Sequence, residues 1–149
     1  MELWRTYLGA TTLLEGHLDR QLRRDAGLSH LHFGILIQLS RSPHQRMRMT
    51  PLAKGSKITR SRLSQAIARL EHSGLVRREE DQADRRGQNA VLTRKGAELL
   101  RSSAPDYFAS VRRVIIERFT PDQLRNFRHV VGSIAVALEG KEEPSDPAR

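Results

Sequence analysis

The sequence contains no cysteine. That removes disulfides, thiolate zinc sites, iron–sulfur clusters, cysteine nucleophiles and thiol redox sensing together. No run approaches the roughly 18 uninterrupted apolar residues that a spanning helix needs, so no membrane is expected as a partner. The opening twenty residues lack a basic segment followed by an unbroken apolar one, so no signal peptide is expected either. Neither a glycine-rich phosphate loop nor a nucleophile elbow is present, and the scattered Ser, His and Asp residues form no catalytic pattern. These absences argue against an enzyme: no catalytic residue is assigned and no cofactor is expected. Internal repeats are missing as well. What remains is a chain of 149 residues, long enough to bury a core without staples. It is expected as a soluble, cytoplasmic protein with one domain over residues 1–140 and a disordered, proline-bearing tail over 141–149.

Acidic residues are also in short supply, 17 Asp and Glu against 26 Lys and Arg, for a net charge of +9. The shortage is local. Residues 1–40 and 96–149 are each neutral, whereas residues 41–95 carry 14 basic and 5 acidic side chains. Arginine used only to solvate a surface would spread its excess along the chain. A confined positive block is what a phosphate backbone requires, because each neutralised phosphate releases a condensed counterion. Double-stranded DNA is therefore the expected partner.

Apolar spacing gives the elements. Leu3, Tyr7, Ala10, Leu14, Leu18 and Leu22 form one stripe of a helix over about 2–25. Trp4, Leu8 and Leu13 widen it beyond the needs of one packing partner, and Gly27 ends it. Ser29 caps a second helix whose apolar positions are Leu31, Phe33, Leu36, Ile37 and Leu39; Ser42-Pro43 stops it. Met47-Arg48-Met49 is expected as a small strand. Thr50 then caps a brief helix with Pro51 at its first position, interrupted by Gly55 and Ser56-Lys57. Thr59 caps the next, which runs through Leu63, Ile67 and Leu70 to Ser73-Gly74. Two short helices around a tight connection form a helix-turn-helix pattern. Leu75–Glu79 and Ala90–Leu92 read as strands, joined by the loop Glu80–Asn89, which is too hydrophilic to be buried. Thr93 caps a long helical segment, with a kink or break near Ala104 imposed by Pro105. Thr120, Pro121 and Gln123 begin a last helix with a capping box, carrying Leu124, Phe127, Val130, Val131, Ile134 and Leu138.

With Leu63, Ile67 and Leu70 facing a core, Arg60, Ser61, Arg62, Gln65 and Arg69 fall on the outward side of their helix or its edges. Such a face either solvates a helix or meets nucleic acid. Arg takes both acceptors of a guanine edge and Gln both groups of an adenine edge, in a major groove wide enough for a helix. Arg60, Ser61, Arg62 and Gln65, near the helix start, are the candidate base readers; Arg69, two turns later, is a candidate phosphate contact. The histidines make a poor metal site. His30 and His32, two residues apart on a helix, point away from each other, and no carboxylate cluster completes a ligand set.

The stretches Leu52-Ala53, Ile58-Thr59-Arg60-Ser61-Arg62-Leu63-Ser64 and Arg69-Leu70-Glu71-His72-Ser73-Gly74-Leu75-Val76 resemble the MarR family of winged helix-turn-helix transcriptional regulators. So does Asp84-Arg85-Arg86 followed by Ala90, Leu92-Thr93 and Gly96, a D-x-R-x-x-x-[AV]-x-L-T-x-x-G pattern. The resemblance spans about residues 2–140. It implies a mainly α fold with a small β-wing: a winged-helix DNA-binding lobe over about 29–95, and a helical dimerisation lobe from about 2–25 and 96–140. It implies that Asp84 braces Arg86 in a minor groove, where negative potential is focused, with Arg85 against phosphate. Terminal helices of the family interlock between two subunits, so Trp4, Leu8, Leu13, Val130, Ile134 and Leu138 are expected at a homodimer interface; the alternative is packing within one chain. The function implied is a homodimeric repressor on a pseudo-palindromic operator, released by a small, often anionic or phenolic effector. The effector crevice would be lined from the first, second and fifth helices, with His17, His32 and Arg112 as polar candidates. Two rivals remain at the level of sequence, a non-specific architectural DNA-binding protein and a winged helix used for protein contact.

Overall fold

The structure, a computed structural model, describes residues 1–81 and 87–139. Six α-helices and three strands are described: α1 Glu2–Ala26, α2 His30–Arg41, β1 Arg46–Arg48, α3 Met49–Gly55, α4 Arg60–His72, β2 Val76–Glu80, β3 Gln88–Leu92, α5 Arg94–Val114 and α6 Pro121–Glu139. Single 3-10 turns occupy Pro43–Gln45 and Ile116–Arg118. The chain divides into two compact units, one of residues 1–108 and one from residue 109 onward.

In the first unit the helix boundaries follow local chemistry. Gly27 closes α1 in the left-handed conformation, φ 67°, where its amide reaches back to the Arg23 carbonyl. The Ser29 hydroxyl accepts the His32 amide at 3.2 Å and starts α2. Thr59 does the same for α4, accepting the Arg62 amide at 3.2 Å. The three strands form one antiparallel sheet in the order β1-β3-β2, with Arg46 opposite Val91 and Val76 opposite Leu92. One core joins these elements: Phe33, Ile35, Leu36 and Leu39 of α2, Leu52 of α3, Leu63, Ile67 and Leu70 of α4, and Val76 and Ala90 of the sheet are fully buried. In the second unit, Thr120 and Gln123 complete a reciprocal capping box, the Gln123 amide donating to the Thr120 hydroxyl and the Thr120 amide to Gln123 Oε1.

Four local expectations change. The helix expected to start after Thr50 starts two residues earlier, at Met49, with Arg48 at the cap and no side-chain cap bond. Pro51 is thereby in the first turn, where its missing N–H costs nothing. Ile35, left out of the expected stripe, is fully buried, since α2 packs on several neighbours at once. Asn89, expected in an exposed loop, is buried in β3, the central strand, and donates to Asp81 Oδ2 at 3.3 Å. Lastly, α5 runs through Pro105 as one helix. The hydrogen bond lost there costs about 3 kcal/mol in an isolated helix; Ala97, Leu99, Leu100, Ala104 and Tyr107, packed on the core, hold this stretch in place.

Candidate nucleic-acid interface

The site rests on α3, the turn 56–59 and α4. The turn is closed by backbone bonds, Ser56 N to Leu52 O at 3.0 Å and Ile58 N to Ala53 O at 3.2 Å. It is tied to α2 by Gln38 Nε2 donating to Ser56 Oγ at 2.9 Å. Lys57, at φ 55°, takes the left-handed step that lets Thr59 begin a new helix directly. Helix α4 buries Leu63, Ala66, Ile67 and Leu70, and this fixes its other side outward. All five expected residues, Arg60, Ser61, Arg62, Gln65 and Arg69, are exposed there.

Their electrostatic state separates them from neighbouring arginines. Arg46 and Arg77 are both paired with Glu79, Arg48 with Asp81 and Arg78 with Glu71. Among the described residues, the guanidinium groups of Arg60, Arg62 and Arg69 take part in no ion pair or hydrogen bond. Among the described residues these three cations on the exposed side of α4 are thus unneutralised; Arg62 and Arg69 share one stripe with the amide of Gln65, and Arg60 projects from the first turn on the other flank.

Alongside α4 lies an open groove of about 980 Å³ walled by α1, α2 and α4, with Asp19, Arg23, His32, Arg62, Gln65 and Arg69 among its lining side chains. Asp19 is held below its ordinary carboxylate pKa by its bond from Arg23, 2.6 Å, and by the His30 amide, 2.8 Å. Burial, with the guanidinium groups of Arg69 and Arg23, pushes the His32 pKa down against the opposing pull of Asp19. His30 Nε2 meets the Tyr107 hydroxyl at 3.0 Å, and burial raises the Tyr107 pKa. The expected effector crevice had α5 as its third wall; the groove in the structure has α4 there instead. Of the three polar candidates, His32 lines it, whereas His17 is exposed on α1 and Arg112 exposed on α5. Among the described residues no three His, Asp or Glu side chains gather at metal-binding distance, and no helix is long and apolar enough to cross a membrane.

The hairpin β2–β3 is closed at its neck by the Asp81 amide donating to the Gly87 carbonyl at 2.9 Å. Arg48 of β1 clamps that neck through Asp81 at 2.6 Å. Asp84, Arg85 and Arg86 lie outside the described residues. Sequence reasoning missed Arg78 and Glu71, which connect the hairpin to α4. The guanidinium Nη2 of Arg78 donates to the Ser64 carbonyl at 2.9 Å, and its backbone amide donates to Glu71 Oε1 at 3.1 Å. The only available signal was an Arg in the interior of a short strand.

A sequence profile of the MarR family matches residues 26–87. Among solved structures, the chain is similar to Sco3205, a MarR family transcriptional regulator from Streptomyces coelicolor crystallised in complex with DNA. The identity is 50%, over 96% of this chain and 87% of that one, with a TM-score of 0.91. It is likewise similar to AbsC, a MarR family regulator from the same organism, at 42% identity over 93% of each chain and a TM-score of 0.90. The transcriptional repressor YetL of Bacillus subtilis is 28% identical over 108 residues, which is 72% of this chain but 64% of YetL, just under two thirds of that protein.

Proposed function

The chain belongs to the MarR family of transcriptional regulators, and on that premise we propose that it is a homodimeric, sequence-specific repressor that reads a pseudo-palindromic operator. In this reading Arg60, Ser61, Arg62 and Gln65 of α4 meet base edges in the major groove, and Arg69 meets phosphate. Arg86 enters the flanking minor groove, braced by Asp84, with Arg85 against the backbone. The observation that carries the proposal is the state of α4: its apolar side is fully buried, and among the described residues the guanidinium groups of Arg60, Arg62 and Arg69 on its exposed side take part in no ion pair. Arginines with no carboxylate partner among the described residues, in the block that carries the whole net charge, match the counterion-release chemistry of DNA.

The dimer is supported by apolar side chains left exposed in the single chain. Trp4, Leu8 and Leu13 of α1 are 55%, 44% and 73% exposed, and Val130, Ile134 and Leu138 of α6 are exposed as well. A two-fold axis in the protein would mirror the symmetry of a palindromic site. Repression is supported by the likeness to YetL, itself a repressor. The groove beside α4 supports release by a small effector, since a ligand there would touch Arg62, Gln65 and Arg69 directly.

The test is a binding titration of a random duplex pool over a salt series, before and after enrichment by the protein. A specific regulator discriminates its enriched duplex from the starting pool by roughly 10³ or more at physiological salt. Steep salt dependence with no enrichment would instead assign the protein an architectural role. No binding at any salt would assign the winged helix to protein contact.

A further inference from the structure

Strand β2 is an edge strand, because β3 occupies the middle of the sheet. The open edge faces α4, and one residue spans the gap. Arg78, opposite Ala90 in the register, gives its backbone amide to Glu71 Oε1 at 3.1 Å and directs its guanidinium onto the helix. There Nη2 donates to the Ser64 carbonyl at 2.9 Å and approaches Ser64 Oγ at 3.4 Å. Its Nε faces Glu71 Oε2 at 3.5 Å, too far for a hydrogen bond, and is buried without an acceptor. Ser64 and Glu71 are seven residues apart on one stripe of α4. Arg78 therefore grips α4 at two points about two turns apart, on the flank of the helix away from the stripe of Arg62, Gln65 and Arg69.

The apolar contacts of α4 do not supply this constraint. Leu63, Ala66, Ile67 and Leu70 hold the helix against the core, but apolar burial is non-directional and tolerates a small roll about the helix axis. A charge-assisted, forked contact is directional. We propose that Arg78 is a positioning residue for DNA reading, which fixes the roll of α4 relative to the hairpin and thereby the register between the side chains of α4 and the wing. The inference rests on the reading of α4 as the base-contacting helix, and it concerns specificity rather than charge, because the guanidinium is spent on the protein.

The test compares wild type, Arg78→Lys, Arg78→Ala and Glu71→Gln on two duplexes, the one enriched by wild type and a random pool, over a salt series, with thermal melting in parallel. Lysine keeps the charge and the backbone bond to Glu71 but cannot reproduce the guanidinium's planar contact with Ser64 and the Glu71 carboxylate. Arg78→Lys is expected to lose about tenfold or more in affinity for the enriched duplex, the scale of one misplaced base contact, with random-pool affinity and salt slope unchanged. Glu71→Gln should lose in the same direction, and a variant combining Arg78→Lys with Glu71→Gln should lose less than the two singles combined. A salt slope lowered by about one in Arg78→Ala would make Arg78 a direct phosphate contact and overturn the proposal. A lowered melting temperature with discrimination intact in Arg78→Lys would reduce it to a structural tie, and overturn it equally. If Arg78→Ala fails to fold, the lysine and Glu71→Gln variants decide alone. A wild type that prefers no duplex contradicts the reading of α4 itself, an outcome distinct from either.

Discussion

His32 sits half-buried between the recognition helix and α1, with Arg69 and Arg23 facing it and Asp19 opposing them. Burial first, and the two cations second, hold its pKa below the ordinary value of 6.5. The unfolded chain therefore binds a proton in a pH range where the native protein does not, and stability falls as the pH drops through and below that value. Above it the native state carries no penalty. Thermal melting should show a loss on acidification from about pH 7.5 to pH 5.5 that is smaller in His32→Gln, on the scale set by a histidine titration. An equal loss in both proteins would place the acid sensitivity elsewhere. The residue scale is also where sequence reading went furthest. The outward placement of Arg60, Ser61, Arg62, Gln65 and Arg69 follows from the spacing of Leu63, Ile67 and Leu70 alone, because burial of one helix face determines the other. Arg78 was not legible, since its role depends on an edge strand turning toward α4, and no local pattern encodes that approach.

Elements bounded by local chemistry were legible to within a residue or so. Ser29, Thr59 and the Thr120–Gln123 pair cap the helices they were expected to cap, because each bond spans three residues or fewer. Thr59→Ala should cost about 1 kcal/mol in chemical denaturation, and should loosen the first turn that carries Arg60, Ser61 and Arg62. An unchanged midpoint would mean that water caps α4 equally well. Boundaries set by partners far along the chain were harder. Strand β1 exists through its pairing with β3, and that pairing moved the start of α3 forward to Met49. Pro105 misled for a similar reason: propensity argues for a break, and packing against the core overrides it. Gly96 shows the reverse, a position marked in the sequence only by a motif, whose steric cause lies in the fold. A Cβ there would overlap the Leu75 carbonyl oxygen, so Gly96→Ala should displace the start of α5 from the hairpin and destabilise the protein by more than 1 kcal/mol.

For the whole molecule, charge and apolar surface were both present in the sequence, but only the structure sorts them. It separates arginines consumed by carboxylates around the sheet from those left open on α4. It also leaves Trp4, Leu8 and Leu13 of α1, and Val130, Ile134 and Leu138 of α6, without cover in one chain. Sedimentation at micromolar concentration should therefore give twice the chain mass, and replacing both Leu8 and Ile134 by Asp should shift it toward the monomer. A wild-type monomer would leave those faces for another partner. The central claim, that the open face of α4 reads bases, is tested most directly by parallel selections from fragmented genomic DNA with wild type and Arg62→Ala. The account predicts an inverted repeat with half-sites about one helical turn apart for wild type, and the same repeat for Arg62→Ala with preference lost at one position in each half-site. An identical motif from both proteins, with every position equally preferred, would contradict it.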